Sequence, residues 1–581
     1  MSRVLLPLII LALLLSMVAV PLTQAVAQST FMVWPECYDG GNFDAGLAVA
    51  VDSNDNVIVA GCSEIWHEYH ADDEAVGTGG NNTTVFTLDN TNVIAGSETI
   101  YFNGTAVSPE NYAINYTTGK ITFDTAPGAG VVITADYDFE AKNYDYYTIK
   151  YAPNGTELWN RSYNSGGSDE AHGVAVDSAD NIIITGYCDN NYHTIKYTSN
   201  GTELWNRTYD SGGVDQAFAV AVDSTDNIAV TGSSNNSYYT IKYDSNGTEL
   251  WNRTYDGGDF DEATGVAIDP DDNIIVTGYS YNATGDSTND YYTIKYDPDG
   301  NELWNVIYDS GGSDCAQDVA VDSESNIVVT GGSISSEANS TWYYCTVKYY
   351  PNGTEFWAAP VTYHLSYPYP AQGELLGTGD GYKTQFTMNY HPIIVGSVKV
   401  YKDGVQTTIN YTVDYRNGQV TFATPPVNGT ITADYTALAG ITAFSVAVDA
   451  RDNVIITGSY YLPSCYAKVV DGISVVMPIY NYYITPKYSP DGTEIWNITY
   501  KPYYQTVAYS VAVDSEDNTI VTGKASDGTT WNYLTIKYAE FTPEEPTGGS
   551  GGPIAIIVIL AIAVVGGTGY YFFIRRRRKA A

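Results

Sequence analysis

The residues with the clearest chemical potential recur at a fixed interval. Asp44, Asp169, Asp215, Asp261 and Asp314 each stand eight residues before a second Asp, at Asp52, Asp177, Asp223, Asp269 and Asp322. Carboxylates gathered on one rim repel each other unless a cation or hydrogen-bond donors intervene. Hard oxygen ligands suit Ca²⁺, so these five are the candidate metal ligands and Ca²⁺ the ion they would take. The competing reading is that each caps its own Gly-rich turn by side-chain-to-backbone bonds. Ile441 and Thr506 interrupt the series, since they stand where the acid would be.

Other chemistry is weaker. His67-Glu68-Tyr69-His70, followed by Asp72, Asp73 and Glu74, could ligate a metal on a helix. No helix is predicted there and the His-Glu-x-x-His pattern is missing, so a solvated loop is expected. Asn-x-Ser/Thr sequons at Asn103, Asn154, Asn206, Asn252, Asn352 and Asn497 are glycan candidates in an exported chain. No nucleophile–base order, nucleotide loop or paired glycosidase carboxylate stands out, so catalytic residues and cofactor-binding residues are both set at none.

The elements that must position these residues form a repeat. Its clearest copy runs Gly173-Val-Ala-Val-Asp177-Ser-Ala-Asp-Asn181-Ile-Ile-Ile-Thr-Gly186, then Thr194-Ile-Lys-Tyr197, then Glu203-Leu-Trp205-Asn-Arg-Thr-Tyr209. Short alternating or β-branched runs broken by Asp/Asn/Gly turns predict a four-stranded meander. We call its strands a, b, c and d. The a–b Asp and the c-strand Lys (Lys150, Lys196, Lys242, Lys295, Lys348, Lys487, Lys537) each occur seven times, and the d-strand Trp six times. The missing d strand lies at the other chain end, where Phe31-Met-Val-Trp34-Pro-Glu-Cys-Tyr38 matches it. One unit split between the two ends predicts an all-β ring, a seven-bladed β-propeller closed by the N-terminal strand, since closure leaves only short protected edges. Each Lys is expected to pair with a carboxylate within or between blades.

The Ala-Val-Asp-Ser-x-Asp-Asn-(x)n-Thr-Gly hairpin resembles the seven-bladed β-propeller (SBBP) repeats of secreted surface proteins. The resemblance implies the fold and says little about a ligand. Two stretches interrupt it, 77–139 and 377–437. Both open on Gly-Thr-Gly, continue with Phe-Thr, and close on Ala-Asp-Tyr. They predict two copies of a small β module, one in the b–c loop of the first blade and one between the fifth and sixth, both on one face. At that face the strand ends suggest disulfides Cys37–Cys62 and Cys315–Cys345, with Cys188 and Cys465 placed less well.

The chain ends carry their own signals. Residues 1–27 read as a signal peptide ending in Ala25-Val26-Ala27. Residues 28–540 hold the propeller, and 541–553 form a Pro/Glu/Gly stalk. Residues 554–574 form an apolar run long enough for one transmembrane helix, and 575–581 a basic tail. The expected localisation is therefore a single-pass cell-membrane protein with its propeller outside and its C-terminus in the cytoplasm. A net charge of −41 argues against nucleic acid as a partner. The expected function is non-catalytic adhesion, recognition or envelope scaffolding toward a glycan or surface protein. A surface enzyme acting on polysaccharide and a purely structural envelope component are the rivals.

Overall fold

The computed structural model describes residues 29–541 except 41–42, 81, 282, 284–287, 335–341, 364–368, 389–396, 408–409, 415–418, 438–439, 462–465, 471–472, 478–481, 501–504 and 527–528. These residues are strands and turns, with one short 3₁₀ turn at Pro109–Asn111 and no α-helix among them. The recurrent unit is an antiparallel four-stranded meander. In one copy its strands are Asp169–Val176, Ile182–Cys188, Asn191–Tyr197 and Glu203–Tyr209, paired in that order. The a strands of the other copies are Asp44–Val51, Asp215–Val222, Asp261–Ile268, Asp314–Val321, Gly440–Val448 and Gln505–Val513. In the last copy the sheet order places Ser29–Tyr38 beside Trp531–Phe541, so the N-terminal strand supplies the d strand as expected.

The a–b turn explains why Asp begins the Asp-Ser-x-Asp-Asn run. Asp223 Oδ1 accepts the backbone N–H of Thr225 and of Asn227, each at 2.9 Å, and Oδ2 accepts Asn227 Nδ2. The fourth residue, Asp226, has φ 65°, a conformation that Asp tolerates better than most side chains. Oδ2 of Asp223 also pairs with Lys242 Nζ of its own sheet at 2.9 Å, both buried. The same pairing recurs in the other copies: Lys150–Asp52, Lys196–Asp177, Lys295–Asp269, Lys348–Asp322, Lys487–Asp449 and Lys537–Asp514 lie at 2.6–2.9 Å. The Lys series thus pairs within each sheet.

Apolar cores lie between neighbouring sheets. Ile183 and Tyr192 of one, for example, pack with Ala217, Val220, Ile228 and Ile241 of the next. Three bonding systems carry the contact from sheet to sheet. A buried c-strand Tyr donates to a c-strand carbonyl of the following sheet: Tyr146 to His193, Tyr192 to Tyr239, Tyr238 to Tyr292, Tyr291 to Cys345, Tyr344 to Ile484, Tyr483 to Leu534, and Tyr533 back to Tyr147. The d-strand Trp donates to the next c–d turn, as Trp205 does to Ser245 O and Trp34 to Pro153 O. An a–b Ser reaches the next sheet's fourth-position Asp: Ser53 to Asp180, Ser178 to Asp226, Ser224 to Asp272, Ser323 to Asp452 and Ser515 to Asp55. Arg451 takes the Ser role toward Asp517. At one boundary the pair is replaced on both sides, with Pro270 for the Ser and Ser325 for the Asp.

The interrupting stretches have matching topology. The first pairs Val57–Thr78 with Val132–Tyr151, then Thr99–Phe102 and Thr105–Ala106, beside a sheet of Val85–Thr87, Lys120–Phe123 and Tyr112–Asn115. The second pairs Tyr369–Asp380, Val427–Ala437, Lys399–Lys402 and Val405–Gln406, beside Gln385–Thr387, Gln419–Phe422 and Tyr411–Asp414. The first differs from a loop replacement. Its blade's own b–c hairpin runs on through His67 opposite Ala141 to Thr78 opposite Val132. His67 and His70 therefore sit on a strand, where a solvated loop was expected.

The expected membrane topology is corrected. Among the described residues no helix is long and apolar enough to cross a membrane, so a single C-terminal span and the localisation built on it are not supported. The segment 554–574, the leader 1–27 and the tail 575–581 lie outside the described residues, as does the stalk beyond Phe541.

Candidate functional site

Each a strand pairs with its b strand in register up to one point. Ala171 faces Gly186 and Gly173 faces Thr185, so His172 between them is skipped. The same one-residue bulge falls at Leu47, Phe218, Thr264, Gln317, Phe444 and Tyr509. A bulge leaves its extra residue outside the ladder and re-aims the side chain. The b-strand Gly is its counterpart, because a Cβ on Gly232 would lie 2.0 Å from Gln216 O. The Thr-Gly of the repeat is thus the local signature of the bulge.

All seven bulged residues line one cavity of about 540 Å³ at the centre of the a strands. Its wall has distinct sectors. His172 stacks on Tyr187 at 5.4 Å and meets Phe218 edge-on at 5.4 Å. Glu170 Oε2 lies 3.7 Å from His172 Nε2. Burial pushes the Glu170 carboxyl up, yet His172, Tyr187 and Lys524 outweigh it and hold the group below the usual range. Burial pushes Glu262 above that range, although Tyr279 donates to it at 2.7 Å. Desolvation also lifts Asp318 to about 6 while it accepts from Ser445 Oγ at 2.8 Å and from the backbone N–H of Val446. On the opposite arc Phe444 and Tyr509 rings sit 5.5 Å apart. Lys524 Nζ lies 4.8 Å from the Phe43 and Trp531 ring centres and 5.4 Å from that of Tyr509. Burial lowers its pKa.

The five rim carboxylates behave otherwise than as one ion site. Asp169 Oδ2 accepts the N–H of Ser165 at 2.7 Å and Oδ1 its hydroxyl at 2.6 Å. Asp215 does the same with Ser211 and Asp314 with Ser310, and Asp44 and Asp261 accept the N–H of Gly40 and Gly257. All five are fully buried and each caps its own d–a turn. Among the described residues only Asp314 joins a carboxylate group of metal-binding size, with Asp290 and Asp309.

The expected disulfides are absent. Cys62, Cys315 and Cys345 carry free thiols. Cys315 and Cys345 lie on strands a and c of one sheet, opposite Gly332 and Gly331 of the strand between them. Two strand spacings come to roughly 9.6 Å, beyond the reach of a bridge. Cys62 is buried in its b strand, whereas Cys37 is exposed on a d strand. The six sequon residues Asn103, Asn154, Asn206, Asn252, Asn352 and Asn497 are all exposed. His67 Nε2 pairs with Asp145 at 2.9 Å and His70 Nδ1 with Asp138 at 2.6 Å, away from the cavity lining.

The bulge ring went unread in the sequence, though it leaves a signal. In the frame x-x-Ala/Gly-x-x-Val-Ala-Val/Ile-Asp, the fourth residue reads Leu, His, Phe, Thr, Gln, Phe and Tyr in turn, inside an otherwise repeating context.

Four-stranded meanders set around a cavity lined by their first strands define a β-propeller. No family model matches the chain, and no curated protein matches it in sequence. Solved structures similar to it include the Pan2 WD40 domain of Neurospora crassa, at TM-score 0.28 and 8% identity, covering 65% of this chain and 91% of that one. Drosophila Plexin A in complex with Semaphorin 1b gives 0.32 and 8%, covering 80% and 88%. A Dyadobacter fermentans protein of unknown function gives 0.33 and 8%, covering 88% and 98%.

Proposed function

We propose that the chain is a seven-bladed propeller of the SBBP-repeat type, closed by its N-terminal strand and bearing two inserted β modules. We propose further that its central cavity is a non-catalytic recognition site for a small polar ligand. The observation that carries this reading is the bulge ring. Seven residues aimed into one cavity are of six types, while the frame holding them repeats. Structure alone requires no such variety, and a cavity of this size with mixed aromatic and polar walls suits a ligand.

A second reading has one observation in its favour. Glu170 is held below the usual carboxylate range and Glu262 above it. Two carboxyls pushed apart in one cavity can divide into base and acid, as an enzyme acting on a polysaccharide would need.

The test screens sugars, amino acids and nucleosides by thermal shift against the full chain, with hits repeated on His172→Ala, Phe218→Ala and Tyr509→Ala. The recognition reading expects hits weakened about tenfold by at least one of these, the worth of one stacked contact. Hits indifferent to all three substitutions would sink it. Turnover of a bound glycan, lost in Glu262→Gln, would favour the enzyme.

A further inference from the structure

A second pocket of about 350 Å³ opens beside the channel, where the fourth, fifth and sixth sheets meet. Phe260, Tyr279 and Trp342 give it aromatic walls, and Asn289, Gln317 and Thr442 give it amide and hydroxyl groups. Two features join it to the channel. Gln317 lines both, and Tyr279 of the second pocket donates to Glu262 of the first at 2.7 Å. The Phe260 and Tyr279 rings lie 24° from parallel, and Phe260 is 41% exposed.

We infer that the ligand is a chain of neutral sugar units, its end seated in the channel and its following units lying across this second pocket. The inference rests on the recognition reading above and names its ligand class. A sugar ring presents an apolar C–H face and an edge of hydroxyls that both donate and accept. Aromatic faces bury the first, and Asn, Gln and Thr, which also donate and accept, satisfy the second. Charge selects against other chains. No residue lining the second pocket bears a formal charge, so it offers a polycation no partner. The net charge of −41, with Glu170, Glu262 and Asp318 in the channel wall, repels a polyanion. The channel's Lys524 is already held over three rings and attracted by Glu170. Gln317 belongs to both linings, so the two pockets adjoin and a ligand of several units could occupy both.

The experiment is calorimetric titration of the full chain with gluco-, xylo- and N-acetylglucosamine oligomers of increasing length, from one unit upward. The expected result is an affinity that climbs about tenfold between the shortest bound oligomer and one two units longer, then levels. Trp342→Ala and Phe260→Ala should abolish that gain and leave the shortest oligomer's affinity unchanged. Phe218→Ala in the channel should weaken every length. Phe260 is partly exposed, so its variant keeps the test valid if Trp342→Ala fails to fold. Affinity independent of length, or a gain that survives both substitutions, overturns the inference. A preference for acidic sugars or for a peptide also overturns it. If no sugar binds but another small ligand depends on Phe218, the sugar inference falls and the recognition reading stands. If nothing depends on the channel residues, both fall.

Discussion

The Asp–Lys pair beneath each a–b turn is the unit on which the repeat is built. Breaking a buried pair by removing one partner strands the other charge, at about 3–5 kcal/mol. Lys242→Met should therefore destabilise the protein by about that much, and Asp223→Asn added to it should recover a large part, as read from urea melts. Carboxyl titration gives a second test. In Asp52, Asp177, Asp269, Asp322 and Asp449 burial raises the carboxyl pKa, but the paired Lys and turn Asn lower it further, and Asp223 falls to about 2. Their stabilisation is complete above the unfolded value near 4 and is lost as pH falls through the folded values. Desolvation acts oppositely on Asp44 and Asp318, which reach about 6. Between pH 6 and 4 the folded state binds those protons first, so stability should rise as pH falls across that window. Thermal melts should peak near pH 4–5, and Asp318→Asn should flatten the rise. A melting temperature that falls steadily from pH 7 to pH 4 would contradict this. The Lys pairing was legible in the sequence because seven like cations on one ring cannot share one site. The rim acids invited a Ca²⁺ reading for the same periodic reason. They accept backbone N–H groups four residues upstream, which is the turn-capping alternative that the sequence also offers.

At the scale of the strand, the bulge is the feature that alternation hides. A period of two counts every residue into the ladder, whereas a bulge inserts one that belongs to neither face. The b-strand Gly betrays it, and Gly232→Ala should cost about 1–3 kcal/mol or more, because the Cβ collides with backbone that cannot swing aside. Phe218→Leu, on the bulge itself, should shift stability by less than about 1 kcal/mol while altering binding, and chemical denaturation of the two variants separates these outcomes. The four-strand unit was legible from its turns and alternating runs. The long first hairpin was not, because Glu64 to Glu74 is rich in Glu, His and Asp and even its inner face, with Ile65, His67, Tyr69 and Ala71, is only half-buried. The disulfide expectation failed at this scale too. Cys315 and Cys345 end at one face, but a whole strand lies between them.

At the scale of the molecule, the circuit of Tyr hydrogen bonds returns on itself through Tyr533 and Tyr147, and Trp34 and Ser515 make the same return by other bonds. Deleting Thr30 to Tyr38 should expose the edge of the last sheet and strongly lower the melting temperature. A truncated chain that melts like the whole would refute closure by the N-terminus. The Ser–Asp belt is broken between Pro270 and Ser325, since proline offers neither N–H nor hydroxyl and Ser325 no carboxylate. Installing both partners, Pro270→Ser with Ser325→Asp, should add about 1–3 kcal/mol through two charge-assisted bonds. Either substitution alone should add little, which a double-mutant cycle in guanidinium reads directly. Closure was legible in the sequence because one unit is split between the chain ends. The size of the central cavity was not, since it depends on where the bulges point.

The bulge ring also bears on symmetry. A scaffold built from near-identical units would, with identical inner residues, offer a ligand as many equivalent poses as it has units. Leu47, His172, Phe218, Thr264, Gln317, Phe444 and Tyr509 abolish that degeneracy without disturbing the units, because each stands outside its own ladder. A ligand in the channel would therefore meet a different set of neighbours at every rotation and have one preferred bearing about the axis. The same separation lets mutation reset that bearing one residue at a time while the surrounding ring folds as before.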